Sequence, residues 1–201
     1  FTESLNSNKP IIFISAHYGC WELIGLVLSI KFNAKINVLV QRPTNKAFDS
    51  FFYNFRKKFN IETHYNEGFS QLKKLFKKVE TKECLGFLID QHGESENNFG
   101  YFFDKKVSIP TISINIAYKY DAIIIPVFVK RLPHDLHQLV FLPKVSIDNK
   151  LEKKAELKRV SQELYNIMEN FIKYKPDEWL WSYQRFNKLS KINDEGSEQE
   201  G

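Results

Sequence analysis

The chain has 201 residues, 43% hydrophobic and 15% aromatic, which is enough apolar material for one well-packed domain and too much for a disordered chain. Its formal net charge of +5 and isoelectric point near 9.0 admit acidic partners, namely anionic headgroups, phosphorylated substrates, an acidic carrier protein or nucleic acid. No stretch approaches the roughly 20 apolar residues that span a bilayer, and two distant cysteines, Cys20 and Cys84, exclude a disulfide scaffold or a paired zinc site. The expectation is a soluble or peripheral protein of a reducing compartment.

In chain order, the β-branched run at 11–16 predicts a buried strand, followed by a tight turn at Tyr18-Gly19 and a helix over 20–30. A second strand over 36–41 breaks at Arg42-Pro43, and a helix follows over about 45–59. Residues 72–82 place Leu72, Leu75, Phe76 and Val79 at helical spacing beside Lys73, Lys74, Lys77, Lys78 and Lys82. That pattern fits a core-facing helix with a solvated lysine face, or a surface for anionic lipid or an acidic carrier. A third strand spans 85–89, and the cluster Phe99, Tyr101, Phe102 and Phe103 reads as a loop with Asn97, Asn98 and Gly100. Pro110-Thr111 opens a helix to about 120, residues 122–130 form a long β-branched strand, and 136–145 alternates as its antiparallel neighbour. A long helix over about 151–173 completes the set, and the polar, acidic residues 191–201 are expected to be a disordered tail. Strands alternating with helices imply an α/β fold, one domain over 1–190 with a mixed, mostly parallel central sheet covered by helices.

The chemistry concentrates at strand ends. His17 follows the first strand, where open α/β sheets bind ligands. Five positions separate it from Glu22, so the two would lie about 140° apart on one ideal helix and can meet only through the turn at Gly19. Joined there, the carboxylate would orient the imidazole while the other ring nitrogen takes a hydroxyl proton. A core histidine and a helix-start glutamate account for the same residues. Arg42 carries a planar fork suited to phosphate or a developing oxyanion, or to a surface salt bridge. Asp90 closes a strand in Asp-Gln-His-Gly and would lie near His17 in a parallel sheet, or serve as a turn or cap residue. His92 beside it reads as a loop residue. His17, Cys20 and Glu22 lack a second ligand pair, which argues against a metal hydrolase.

The ordered series is more specific than any one of these residues. His17-x-x-x-x-Glu22 within SAHYGCWE, Gln41-Arg42-Pro43 with Asn45, Gly86-Phe-Leu-Ile-Asp90-Gln91, Tyr101-Phe102-Phe103, Pro110-Thr111, Ile125-Pro126-Val127 and Trp179-Leu-Trp181 with Arg185 resembles the late acyltransferases of lipid A biosynthesis, the lauroyl and myristoyl transferase group. The chain carries Cys20 where that family commonly has Asn. The resemblance implies a glycerol-phosphate-acyltransferase-like fold. It implies acyl transfer from an acyl carrier protein thioester, or a coenzyme A thioester, to a lipid A precursor hydroxyl at the cytoplasmic face of the inner membrane, with no metal or other cofactor. His17 would be the general base, Glu22 its orienting partner, Arg42 the family's essential arginine, and Asp90 a support for Arg42 or the substrate. Such enzymes carry an N-terminal membrane anchor that these 201 residues do not contain, so attachment to the membrane surface is expected through other residues. The alternatives are acylation of another lipid or glycolipid hydroxyl, or a nonenzymatic basic protein binding membrane or nucleic acid; no recognised nucleic-acid motif supports the last.

Overall fold

The computed structural model describes residues 4, 7–93, 98–183, 185 and 186, and the expected tail at 191–201 lies outside them. Six strands pair in the order β3-β2-β4-β1-β7-β8. These are β1 (Ile11–Ser15), β2 (Ile36–Val40), β3 (Ile61–Tyr65), β4 (Cys84–Leu88), β7 (Ile123–Arg131) and β8 (His137–Phe141). All neighbours are parallel except β7 and β8, so the expected mostly parallel sheet with an antiparallel edge is present. The helices are α1 (Glu22–Phe32), α2 (Lys46–Lys58), α3 (Phe69–Glu80), α4 (Ile112–Tyr120) and α5 (Lys153–Tyr174), among the described residues. None of these is long and apolar enough to cross a membrane.

Period-2 alternation sorts the strands into two faces. Ile12, Ile14, Leu85 and Phe128 pack with Leu75 and Val79 of α3, Ile114 of α4 and Leu164 of α5. Ile11, Phe13, Ile36, Ile125 and Val127 face the other way and pack with Ile24 and Leu28 of α1. Helix ends follow local chemistry. The Asn45 side chain caps α2 by accepting from Ala47 and Phe48 N–H, and Asn33 and Asp121 end α1 and α4 in the left-handed region.

Three features differ from or refine the sequence reading. Strand β3 was not anticipated, because Ile-Glu-Thr-His-Tyr mixes polar and apolar residues without clear alternation. The segment read as an aromatic loop is a hairpin, β5 (Phe99–Phe102) paired antiparallel with β6 (Lys105–Ser108). Phe103 and Asp104, both at positive φ, form its two-residue turn, lacking the Asn-Gly signature of such turns. The lysine-rich segment is a core-facing helix: Leu75 and Val79 are fully buried, Lys73, Lys74 and Lys77 are exposed, and Lys78 pairs with Glu62 and Glu83.

Candidate active site

Ser15 of β1 lies opposite Leu88 of β4, so the residues two positions beyond each strand end, His17 and Asp90, arrive side by side. His17 Nδ1 lies 2.8 Å from Asp90 Oδ1, and the His17 backbone N–H donates to Oδ2 at 3.0 Å. The Trp179 indole N–H donates to the same Oδ2 at 2.9 Å. Asp90 is only 2% exposed. Burial alone would push its carboxyl upward, but the hydrogen bonds from His17 and Trp179 and the imidazole's charge outweigh burial and hold it below the usual carboxylate range. An ionised Asp90 accepts and cannot donate, so Nδ1 carries the proton of the neutral imidazole and Nε2 keeps its lone pair.

The carrier of Trp179 is the segment after α5, which lies antiparallel along the His17 turn. Gly19 N–H donates to Glu178 O at 2.9 Å and Leu180 N–H donates to His17 O at 3.0 Å. Gly19 has φ +54°, and a Cβ there would sit 3.2 Å from both Val129 O and the Glu178 carboxylate, so the turn is built for glycine. A second brace comes from Arg185, buried to 2% exposure, which donates to Ser108 O at 2.5 Å and Tyr165 Oη at 2.9 Å. Tyr165 in turn donates to Ile89 O at 2.6 Å, next to Asp90. His92 Nδ1 lies 3.2 Å from an Arg185 guanidinium nitrogen, which keeps His92 in the loop and away from Asp90's role.

Glu22 goes elsewhere. It opens α1 and forms a bidentate pair with Arg56 of α2, Arg56 Nε donating at 3.1 Å and Nη2 donating to the other carboxylate oxygen. His17 therefore takes Asp90 as its carboxylate where Glu22 was expected. The physical reason is strand register, which aligns β1 and β4, together with Trp21, whose ring sits edge-on to the imidazole at 5.1 Å. Arg42 lies at the rim in a surface network. It donates to Glu67 at 2.6 and 3.2 Å and to Asp49 at 2.9 Å, with its guanidinium carbon 3.6 Å from the Tyr65 ring centre. The Glu67 hydrogen bonds hold Arg42 more firmly charged and Glu67 below the usual carboxylate range. Asp90 supports His17, not Arg42.

His17, Glu22, Arg42 and Arg56 nevertheless share one cleft of about 560 Å³, between α1 and the sheet. Beyond its polar end the lining is apolar, including Phe13, Leu28, Ile36, Val38 and Ile61, with Gly86 leaving room in the floor. Ser15 also lines it, and its buried Oγ makes no hydrogen bond among the described residues. The Asp90-paired imidazole of His17 thus stands at the head of an apolar slot. The family model of bacterial lipid A biosynthesis acyltransferases matches residues 1–188. The chain belongs to that family. A comparison with curated proteins gave no match.

Two residues of this acyltransferase's cleft and its frame were missed or misread from sequence. Arg56 sits in the run Phe55-Arg56-Lys57-Lys58, which looks like an ordinary basic helix end favoured by the dipole, and carries no local sign that one of its cations turns inward. In the sequence Trp179 figures only within the motif Trp179-Leu-Trp181, with no role assigned. Its indole reaching a strand-end aspartate 89 positions earlier is a long-range pairing that no spacing rule reveals.

Proposed function

We propose that this acyltransferase moves a fatty acyl group from a carrier thioester, in the first instance acyl carrier protein's, to a hydroxyl of a lipid A precursor, with His17 as the general base. The observation that carries the reading is the Trp179–Asp90–His17 chain of hydrogen bonds standing at the polar end of the apolar cleft. A hydroxyl is too weak an acid to attack a thioester unaided, and a positioned base typically supplies about 10²- to 10⁴-fold. In the proposed reaction Nε2 takes the acceptor's proton as its oxygen attacks the thioester carbonyl. The C–O bond forms, the C–S bond breaks, and the imidazolium returns the proton to the departing thiolate. Asp90 stabilises the imidazolium throughout.

The cleft volume of about 560 Å³ falls within the roughly 300–1,000 Å³ of ordinary ligand pockets, and its apolar depth suits an acyl chain. Arg56, held in the cleft by Glu22, is the cation best placed to face the oxyanion, while Arg42 at the rim is engaged by two carboxylates. Ser15 Oγ offers a further donor inside. The glycerol-phosphate-acyltransferase-like architecture, O-acylation of the acceptor and work at the cytoplasmic face of the inner membrane belong to the same proposal, without metal or cofactor.

The test is mass spectrometry of a lipid A precursor incubated with acyl carrier protein thioesters and the protein, alongside His17→Ala. A gain of one acyl mass that disappears in the variant supports the mechanism. Undiminished transfer by a folded His17→Ala protein would sink it, and transfer only to another lipid hydroxyl would move the acceptor.

A further inference from the structure

A second cavity, of about 520 Å³, opens on the α4 and α5 side of the sheet, away from α1, and shares no lining residue with the cleft that holds His17. Strand β5 of the hairpin, the start of α4 and the first turns of α5 enclose it. Its volume falls within the roughly 300–1,000 Å³ of ordinary ligand pockets.

One wall is a face of α5. At about 100° per residue, Lys154, Leu157, Lys158 and Ser161 fall in one sector about 100° wide, and all four line the cavity. Ser161 is 2% exposed, and its buried Oγ has no hydrogen-bond partner among the described residues. Leaving a buried hydroxyl unmatched is unfavourable, and alanine would serve the helix better at this position. Asn98 and Asn115 add amides to the walls, and Phe99 and Leu157 add apolar surface.

Charge defines the ligand. Lys153, Lys154 and Lys158 line the cavity at the N-terminal end of a 22-residue helix, where the macrodipole is positive. Lys154 and Lys158, four positions apart on one face, repel each other, and neither forms an ion pair among the described residues. Lys153 lies 6.0 Å over the Tyr118 ring. The one carboxylate among the described lining residues, that of Glu152, has both oxygens committed to the Lys154 and Ala155 N–H groups. Glu156 and Glu163 fall on the opposite side of the helix, where Arg159 pairs with both. Three like charges therefore gather at the unfavourable end of a helix, around a cavity with an unpartnered hydroxyl. An anion with hydrogen-bonding oxygens relieves both strains at once.

We infer that this cavity binds a small phosphate monoester, its phosphate on Lys154 and Lys158 and its body against Ser161, Asn98 and Asn115. The site lies outside the acyl-transfer machinery, and binding there needs no turnover. One turn further along α5 the Tyr165 hydroxyl donates to Ile89 O beside Asp90, so the ligand sits on the helix that frames Asp90.

The experiment is isothermal titration calorimetry of the 201-residue chain with glycerol 3-phosphate, with dihexanoyl phosphatidic acid below its micelle concentration, and with sulfate. The first two ligands separate a soluble ester from a lipid headgroup. Saturable binding of at least one ester is expected, at a Kd of about 1 mM or tighter. It should weaken about tenfold or more in Lys154→Gln/Lys158→Gln, since hydrogen bonds to charged groups are the strong ones, and stay unchanged in a folded Arg56→Ala protein, whose missing cation belongs to the cleft. Glutamine keeps the helix propensity of lysine, so an unchanged melt shows that the lysine variant is folded. Ser161→Ala is expected to raise the melting temperature of the ligand-free protein while weakening the ester, an exchange that a purely structural serine does not make. No binding by either ester overturns the proposal, as does wild-type affinity in the lysine variant or in Ser161→Ala. Binding lost equally in folded Arg56→Ala overturns it in favour of the cleft, and sulfate bound as tightly as the esters overturns it in favour of a bare cationic patch.

Discussion

Asp90 faces three donors at once: the His17 imidazole, the His17 backbone and the Trp179 indole. An amide at this position must turn its NH₂ toward one side or the other. Turned to Oδ2's place it confronts two N–H groups; turned to Oδ1's place it donates to Nδ1 and forces the ring proton onto Nε2, where it blocks proton abstraction. Asp90→Asn is therefore expected to lower kcat by about 10²- to 10⁴-fold with little change in KM, because the loss falls on the reacting state. Steady-state kinetics on the folded variant checks this, and an unchanged kcat would remove Asp90 from the mechanism. Glu22 and Arg56 make a different prediction, since each satisfies the other's charge at the cleft's polar end. Glu22→Ala and Arg56→Ala should each depress transfer severely, by about tenfold or more, and the double variant should lose scarcely more than either single, because contacting groups act as one unit. Fully multiplicative losses in the double-mutant cycle would show that the two residues work separately.

At the scale of elements, the slot exists because β4 presents a glycine where a side chain would fill it. A Cβ at Gly86 would lie 3.3 Å from a Val38 methyl, and Gly86 lines the cleft floor. Gly86→Val should keep the strand, which tolerates β-branching, while placing two methyl groups in the slot. The expected outcome is a shift toward shorter acyl thioesters, with short-chain rates retained; each methylene of chain discriminated is worth about 1–3 kcal/mol. Competition between thioesters of different length reads it directly, and an unchanged preference would place the acyl chain elsewhere. The same element scale marks how far the sequence was legible. Apolar runs and helical spacing located β1, β2, β4, β7, β8 and the helices α1 to α5 within a few residues, and adjacency of parallel strands was enough to put Asp90 near His17. Which carboxylate meets the imidazole depended on the β1–β4 register and on a tryptophan from the far end of the chain, neither of which is encoded in local spacing. The β5–β6 hairpin stayed hidden because Phe103-Asp104 adopts its turn without the residues that announce one.

For the whole molecule, the sheet's open end carries a buried polar network whose protonation couples folding to pH. His64 of β3 is 3% exposed and bonds Asn37 of β2 through Nε2 at 3.0 Å, and Asn37 donates to Glu83 at 3.0 Å. Burial lowers the His64 pKa from its ordinary 6.5, outweighing the nearby Glu62 and Glu83, while Lys78 and Lys74 push the same way as burial. The folded state then binds this proton less readily than the unfolded chain. The stabilisation is complete above about pH 6.5 and is lost as pH falls toward the folded value, at about 1.4 kcal/mol per unit of pH. A second loss belongs to Asp90 and to Glu156, whose carboxyl Arg159 holds low; both are lowered in the fold, so their contribution is present above about pH 4 and disappears below it. The melting temperature should therefore drop in two stages on acidification. For a chain of this size about 2–4 °C accompanies each kcal/mol, so the first stage is measurable by calorimetry. His64→Gln keeps an N–H donor for Asn37 but cannot take up a proton. It should flatten the profile between pH 7 and 5 while leaving the fall below pH 4 in place, and a variant profile parallel to wild type across both ranges would mean that the histidine buried in β3 does not govern the acid limit of this fold.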